Sequence, residues 1–256
     1  MSPTTISGIA FACVFGGAVL GMLLRSVVPD HHLSAESKDV VKLGMGLIAT
    51  MSALVLALLI ASAKSSHDTQ AGEVVQMSAG FIQLDRVLAH YGPETKEARG
   101  LLRVTVARAL SQMSAQGNYR SAMLDSAESK AGTDVFFEKI QLTPRDDFQR
   151  LLHAQALQIC ADLGRARSLL LEQTGGSIPM PFLVVLIFWL AMIFTSFGLF
   201  APPNSTVSAV LFICALSVAG AIFLVLELDR PFQGLIQISD APLRNALTHL
   251  GQPQGQ

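Results

Sequence analysis

The chain has 256 residues, of which 51% are hydrophobic and 14% charged, against roughly a quarter charged in an ordinary soluble domain. Its 18 basic and 19 acidic side chains give a formal net charge of −1. The basic surplus with which a nucleic-acid binder displaces counterions from phosphates is absent, so nucleic acid is not expected as a partner. Cys13, Cys160 and Cys214 lie far apart and offer neither a disulfide framework nor a zinc-ligand spacing.

Such a composition, with mean hydropathy +0.48, places the chain in a lipid bilayer. Crossing hydrocarbon takes about 20 apolar residues as helix, and four segments suffice: 6–28, 43–63, 178–200 and 205–226. The first, preceded by M-S-P-T-T-I-S with no Lys or Arg and followed by no convincing cleavage site, reads as a retained span rather than a signal peptide. Gly17 and Gly21 give it a G-x-x-x-G, Gly44 and Gly46 open the second span, and Ala215, Ala219 and Gly220 lie in the fourth, all small residues where helices can approach closely. Residues 173–226 carry no charge, so the last two spans form a hairpin. Its turn is A-P-P-N, where Pro202 and Pro203 stop one helix and Asn204 or Ser205 caps the next.

Four spans put both termini and the long middle segment on one side. Lys64, Arg165, Arg167, Arg230 and Arg244 lie on that side and Arg25, Lys38 and Lys42 on the other. This bias points to cytoplasmic termini in a multi-pass inner-membrane protein.

Residues 64–177 are helical in pattern. Val74, Met77, Phe81, Leu84, Leu88 and Tyr91 follow the three-four spacing of a helix seam, ending at Gly92-Pro93. Because only K-S-S-H-D separates the second span from this helix, the two are expected to form one long rod. A second helix over about 93–116 aligns Leu102, Val106, Leu110 and Met113. A third begins at T-P-R-D, with Thr143 as N-cap and Pro144 at the first helical position, and aligns Phe148, Leu152, Ala156, Ile159, Leu163, Ala166 and Leu170. Residues 117–133 between them read as a loop. Two Gly and two Pro in L-E-Q-T-G-G-S-I-P-M-P break the chain before the third span. The expected fold class is all-α: 1–63 spans one and two, 64–177 a helical cytoplasmic domain, 178–227 spans three and four, and 228–256 a cytoplasmic C-terminal segment.

Signatures of catalysis are missing: no Gly-rich phosphate loop, no G-x-S-x-G, no H-E-x-x-H. Asp30-His31-His32 places adjacent side chains on different faces, and His67-Asp68 reads as an acidic residue near a helix N-terminus. No enzyme, metal or cofactor is expected. Mid-span ionisable groups, which mark proton- and ion-coupled transporters, are also absent, apart from Arg25 near one end of the first span. A passive pore, a scaffold or a signalling subunit remains.

At the end of the fourth span stands E-L-D-R-P-F-Q-G. Pro231 stops the helix and leaves the last carbonyls without amide donors. Arg230 can donate to them or pair with Glu227 three residues back, and Phe232 can anchor at the interface. Glu227, Asp229, Arg230, Pro231 and Phe232 read either as a flanking sequence or as a joint coupling the last span to the cytoplasmic part.

The runs V-A-G-A-I-F-L-V-L-E-L-D-R-P-F-Q-G-L-I at 218–236, L-D-R-V-L-A-H-Y-G-P-E at 84–94 and L-A-L-L-I-A-S-A-K-S-S-H-D-T-Q at 56–70 resemble the bestrophin-like domain family of bacterial membrane proteins. Its name implies kinship with bestrophins, homopentameric anion channels with four spans per subunit and a pore lined by the second. That resemblance implies a homo-oligomer, a pentamer most simply, with inorganic anions as the permeant class. It does not imply calcium: where bestrophins place Asn-Pro-Phe-Gly and a run of acids, this chain has R-P-F-Q-G followed by L-I-Q-I-S-D. Carried over, the pore assignment makes Thr50, Met51, Leu54, Val55 and Leu58 the lining candidates, an apolar wall that gates by dewetting. The competing reading is a non-conducting scaffold that recruits a partner through its cytoplasmic helices.

Overall fold

In the computed structural model the described residues are 2–27, 35–114, 144–173, 178–202, 204–232 and 234–251. They form seven α-helices: α1 Pro3–Arg25, α2 Ala35–Tyr91, α3 Lys96–Ser114, α4 Asp147–Gln173, α5 Met180–Phe200, α6 Ser205–Leu228 and α7 Ala241–His249, with a 3-10 turn at Pro93–Thr95 before α3. No strand occurs among the described residues. The fold is all-α, and α1, α2, α5 and α6 are each long and apolar enough to cross a membrane.

Local chemistry sets the helix ends. Ser2 accepts from the Thr5 amide at 3.2 Å with Pro3 opening α1, and Asn204 Oδ1 accepts from the Val207 amide at 2.8 Å, the side-chain cap that satisfies an orphan donor. α4 departs from the expectation. It begins at Asp147, and Asp146 Oδ1 accepts from the Gln149 amide at 2.6 Å while Gln149 Oε1 accepts from the Arg145 amide at 2.9 Å. This reciprocal arrangement is a capping box, and an aspartate able to close it outcompetes the Pro144 start three residues earlier. Thr143 lies outside the described residues, as do the 117–133 loop, Pro203, and Asp30, His31 and His32.

The chain divides into two compact units, one of residues 1–65 and 176–229, the other of residues 66–175 and 230–256. In the first, α1 packs along α5 and α6. Gly17 and Gly21 lie against the α5 backbone, where a Cβ on Gly17 would stand 2.7 Å from the Ala191 carbonyl oxygen, and Gly198 of α5 lies against Ala18 and Met22. Small residues on both helices thus allow a backbone-to-backbone approach, the device by which helices associate in lipid. Gly44, Gly46 and Gly220, by contrast, face open space, because a residue serves close approach only when its own face meets a neighbour. Arg25 donates from Nη1 to the Ala201 carbonyl, which gives the charge at the end of α1 an acceptor in the α5–α6 turn.

The second unit is organised on the distal half of α2. Val74, Met77, Phe81, Leu84, Leu88 and Tyr91 are all buried, in one core with Leu102 and Val106 of α3 and with Leu152, Ile159 and Leu170 of α4. Phe148 is 61% exposed and does not join the α4 stripe, since it sits one residue after the helix start, before α4 meets its neighbours. His67 and Asp68, 3.5 Å apart, lie inside the uninterrupted α2. No helix N-terminus exists there for Asp68 to face.

Candidate pore-lining helix

α2 runs unbroken for 57 residues. Within residues 38–63 it turns a narrow stripe toward its own chain. Leu59 and Ala63 are buried with Leu186 of α5 and Val225 of α6, and Val55 and Leu56 pack half-buried beside them. Ser52, on that same side, is 3% exposed and donates to the Ile48 carbonyl at 2.8 Å. The other face carries Val40, Leu43, Leu47, Met51, Leu54 and Leu58, all exposed, at spacings of three and four that keep them on one side of the helix. Of the lining candidates, Met51, Leu54 and Leu58 belong to this outward stripe. Thr50 is exposed beside it and donates to the Leu47 carbonyl at 2.8 Å, while Val55 is turned inward.

The distal end of α2 is fastened by groups that the sequence reading passed over. Thr95 Oγ1 donates to the Leu88 carbonyl at 2.5 Å and Gln149 Nε2 to the Tyr91 carbonyl at 3.1 Å, so two side chains from beyond the helix satisfy its orphan acceptors. Asp85, buried on α2, takes a bidentate pair from Arg99 of α3, with Nε at 2.7 Å and Nη2 at 2.9 Å. That hydrogen bonding holds the Arg99 guanidinium above its ordinary range. The visible signal is one aspartate adjoining the apolar seam at Leu84; its partner, 14 residues on, has no spacing that announces it. Burial, reinforced by the Glu94 carboxylate, raises the Tyr91 hydroxyl, and burial pushes the Cys160 thiol up to about 11.

At the end of α6, Glu227 is 4% exposed in the last turn, and Asp229 closes the helix by donating its amide to the Val225 carbonyl at 3.2 Å. Arg230 is half-buried and Pro231 buried, and the Pro231 carbonyl accepts from the Ile238 amide at 2.8 Å. Phe232 packs against the core of the second unit, so it serves as a core side chain there. Among the described residues, no three His, Cys, Asp or Glu side chains gather where a metal ion could sit.

This succession of helices is matched by a family model, described as a bestrophin-like domain, over residues 12–243. The chain belongs to the bestrophin-like domain family. Two solved structures share its fold, both substituted forms of a bacterial bestrophin homologue from Klebsiella pneumoniae. An isoleucine-to-threonine form superposes with a TM-score of 0.67 at 13% identity, covering 95% of this chain and 98% of that one. A leucine-to-threonine form gives 0.62 at 16% identity, covering 93% and 99%. No curated protein matches the sequence.

Proposed function

We propose that this bestrophin-like chain is the subunit of a homo-oligomeric, passive anion channel, most simply a pentamer in the bacterial inner membrane, whose path is lined by the outward stripe of α2. One observation carries the reading. In the stretch suited to crossing a membrane, 11% of α2 is buried within the chain, against 39% in α1 and 33% in each of α5 and α6. The helix its own chain covers least presents a continuous row of large apolar side chains outward, and symmetry-related copies around an axis would cover the flanks of that row and leave its crest to the path.

A path walled by Met51, Leu54 and Leu58, with Thr50 at its edge, conducts when wet and closes when dry, and selects weakly. The spans carry no mid-membrane ionisable group to couple transport to protons or other ions, so permeation is downhill. Residues 64–177 and 228–256 occupy the cytoplasm in this reading, in keeping with five Lys and Arg near the span ends on that side against three opposite. The stretch from Glu227 to Phe232 is then the joint between the last span and the cytoplasmic helices.

The test is anion flux from vesicles reconstituted with purified protein. Wild type should release chloride or iodide, and Leu54→Thr should raise the rate. If wetting of the ring improves by about 1–2 kcal/mol, the gain is roughly 5–30-fold. Absence of flux from both would leave a non-conducting scaffold.

A further inference from the structure

The C-terminal helix of the bestrophin-like chain is fastened to α2 through one carboxylate. Asp85 is 5% exposed. Besides its two bonds from Arg99, its Oδ2 accepts from the Gly251 amide at 3.3 Å. α7 lies along α3. Leu243 and Leu250 enter the core that holds Leu84, Leu88, Leu102 and Val106, and Ala246 is fully buried. The Leu250 amide donates to the Ala246 carbonyl at 3.0 Å and closes the last turn. Gly251 then adopts φ +80°, the left-handed position that follows many helices, and presents its amide to Asp85. A Cβ at 251 would meet Arg103 Nη1 only at 3.8 Å, an ordinary contact. Glycine is required there by backbone conformation and not by space.

We propose that residues 241–251 form a releasable regulatory strap on the distal end of α2, with the Asp85 carboxylate as its catch; the regulatory part rests on the reading of α2 as the path-lining helix. With the strap docked, Asp85 and Arg99 are shielded from water, where removing one partner of a pair is costly. With the strap off, the same pair stands in solvent, where such pairs contribute little. Docking and the ion pair therefore strengthen each other, and the coupling is reciprocal. Release uncovers Leu84 and Leu88 on α2 and removes one of the attachments that hold its end, so strap occupancy biases the helix that carries the outward stripe.

The experiment uses the full chain in vesicles, with tryptic cleavage after Arg244 followed by mass spectrometry and anion flux measured on the same preparation. Cleavage after Arg150, in α4, serves as the internal reference. Asp85→Asn should accelerate cleavage after Arg244 by about 5–50-fold, within the usual range of coupling between sites, and leave cleavage after Arg150 unchanged. Gly251→Val, which spares the ion pair, should act in the same direction and decides alone if Asp85→Asn accelerates both cleavages. Both variants should also shift flux. Wild-type cleavage rates in Gly251→Val overturn the catch, and faster cleavage with unaltered flux overturns the regulatory role. A wild type with no flux at all overturns the channel reading instead, and the cleavage rates still decide the catch.

Discussion

Leu58 and Leu59 are neighbours on α2 with opposite surroundings. Leu58 is 61% exposed, Leu59 is 3% exposed against Ala63, Leu186 and Val225, and farther along the same helix Leu88 is 1% exposed in the core of the second unit. In a water-soluble core, Leu→Ala costs about 2.7–5 kcal/mol, and Leu88→Ala should fall in that range. About 2.4 kcal/mol of it, three carbons at about 0.8 each, is transfer from water. That part vanishes for Leu59, because the alternative surroundings of a membrane helix are lipid tails as apolar as leucine itself. Leu59→Ala should therefore cost roughly 0.3–2.6 kcal/mol, and Leu58→Ala should change the fold of the single chain by less than about 0.5 kcal/mol. Equilibrium unfolding in bicelles, followed by far-ultraviolet circular dichroism, orders the three variants. A loss at Leu59 equal to or above that at Leu88 would refute the assignment of solvents to the two halves of α2, and equal losses at Leu58 and Leu59 would refute the two-faced description of the helix.

Three further outcomes are expected. Gly21→Val drives a side chain into the Thr195–Leu199 backbone of α5 and should cost about 1–3 kcal/mol or more in thermal unfolding, while Gly8→Val, in open space, should be close to neutral. Asp146→Ala removes the α4 cap and should lower stability by about 0.5–2 kcal/mol, checked by the same denaturation, with Asp146→Asn retaining most of the effect of the native residue. In a Cys13→Ser, Cys214→Ser background, alkylation of Cys160 in the folded protein should rise about tenfold per pH unit up to about 11, the value to which burial raises this thiol, because only the thiolate reacts; a plateau near pH 9 would contradict that burial.

The sequence made the seam of α2 legible because six apolar residues from Val74 to Tyr91 repeat at helical spacing over five turns, and all six are buried. The continuity of span and seam was legible for the same reason: nothing between Ala63 and Val74 breaks a helix, and α2 is unbroken. Where two local signals competed, the pattern misled. T-P-R-D offered a threonine cap with a proline behind it, yet the Asp146–Gln149 reciprocal bonds start α4 three residues later. Phe148 has the correct phase for its stripe but lies before α4 has a neighbour to pack on. The Asp85–Arg99–Gly251 cluster was out of reach, since its members come from three helical segments separated by 14 and 152 residues in sequence, and periodicity reports one helix at a time. The outward stripe from Val40 to Leu58 is apolar in the sequence like the inward one, and only the packing of Leu59 and Ala63 against α5 and α6 distinguishes the two faces.

The central claim, that the outward stripe of α2 lines a water-filled path, is tested most directly by a single cysteine at Leu54, compared with one at Leu59, in the Cys13→Ser, Cys214→Ser background. Flux from vesicles is recorded before and after a membrane-impermeant, charged thiol reagent is applied. The account predicts that modification of Leu54→Cys cuts anion flux at least about tenfold, equivalent to about 1.4 kcal/mol added to the barrier, and that Leu59→Cys is untouched. Conducting vesicles in which Leu54→Cys ignores the reagent, or in which both positions respond alike, would contradict it.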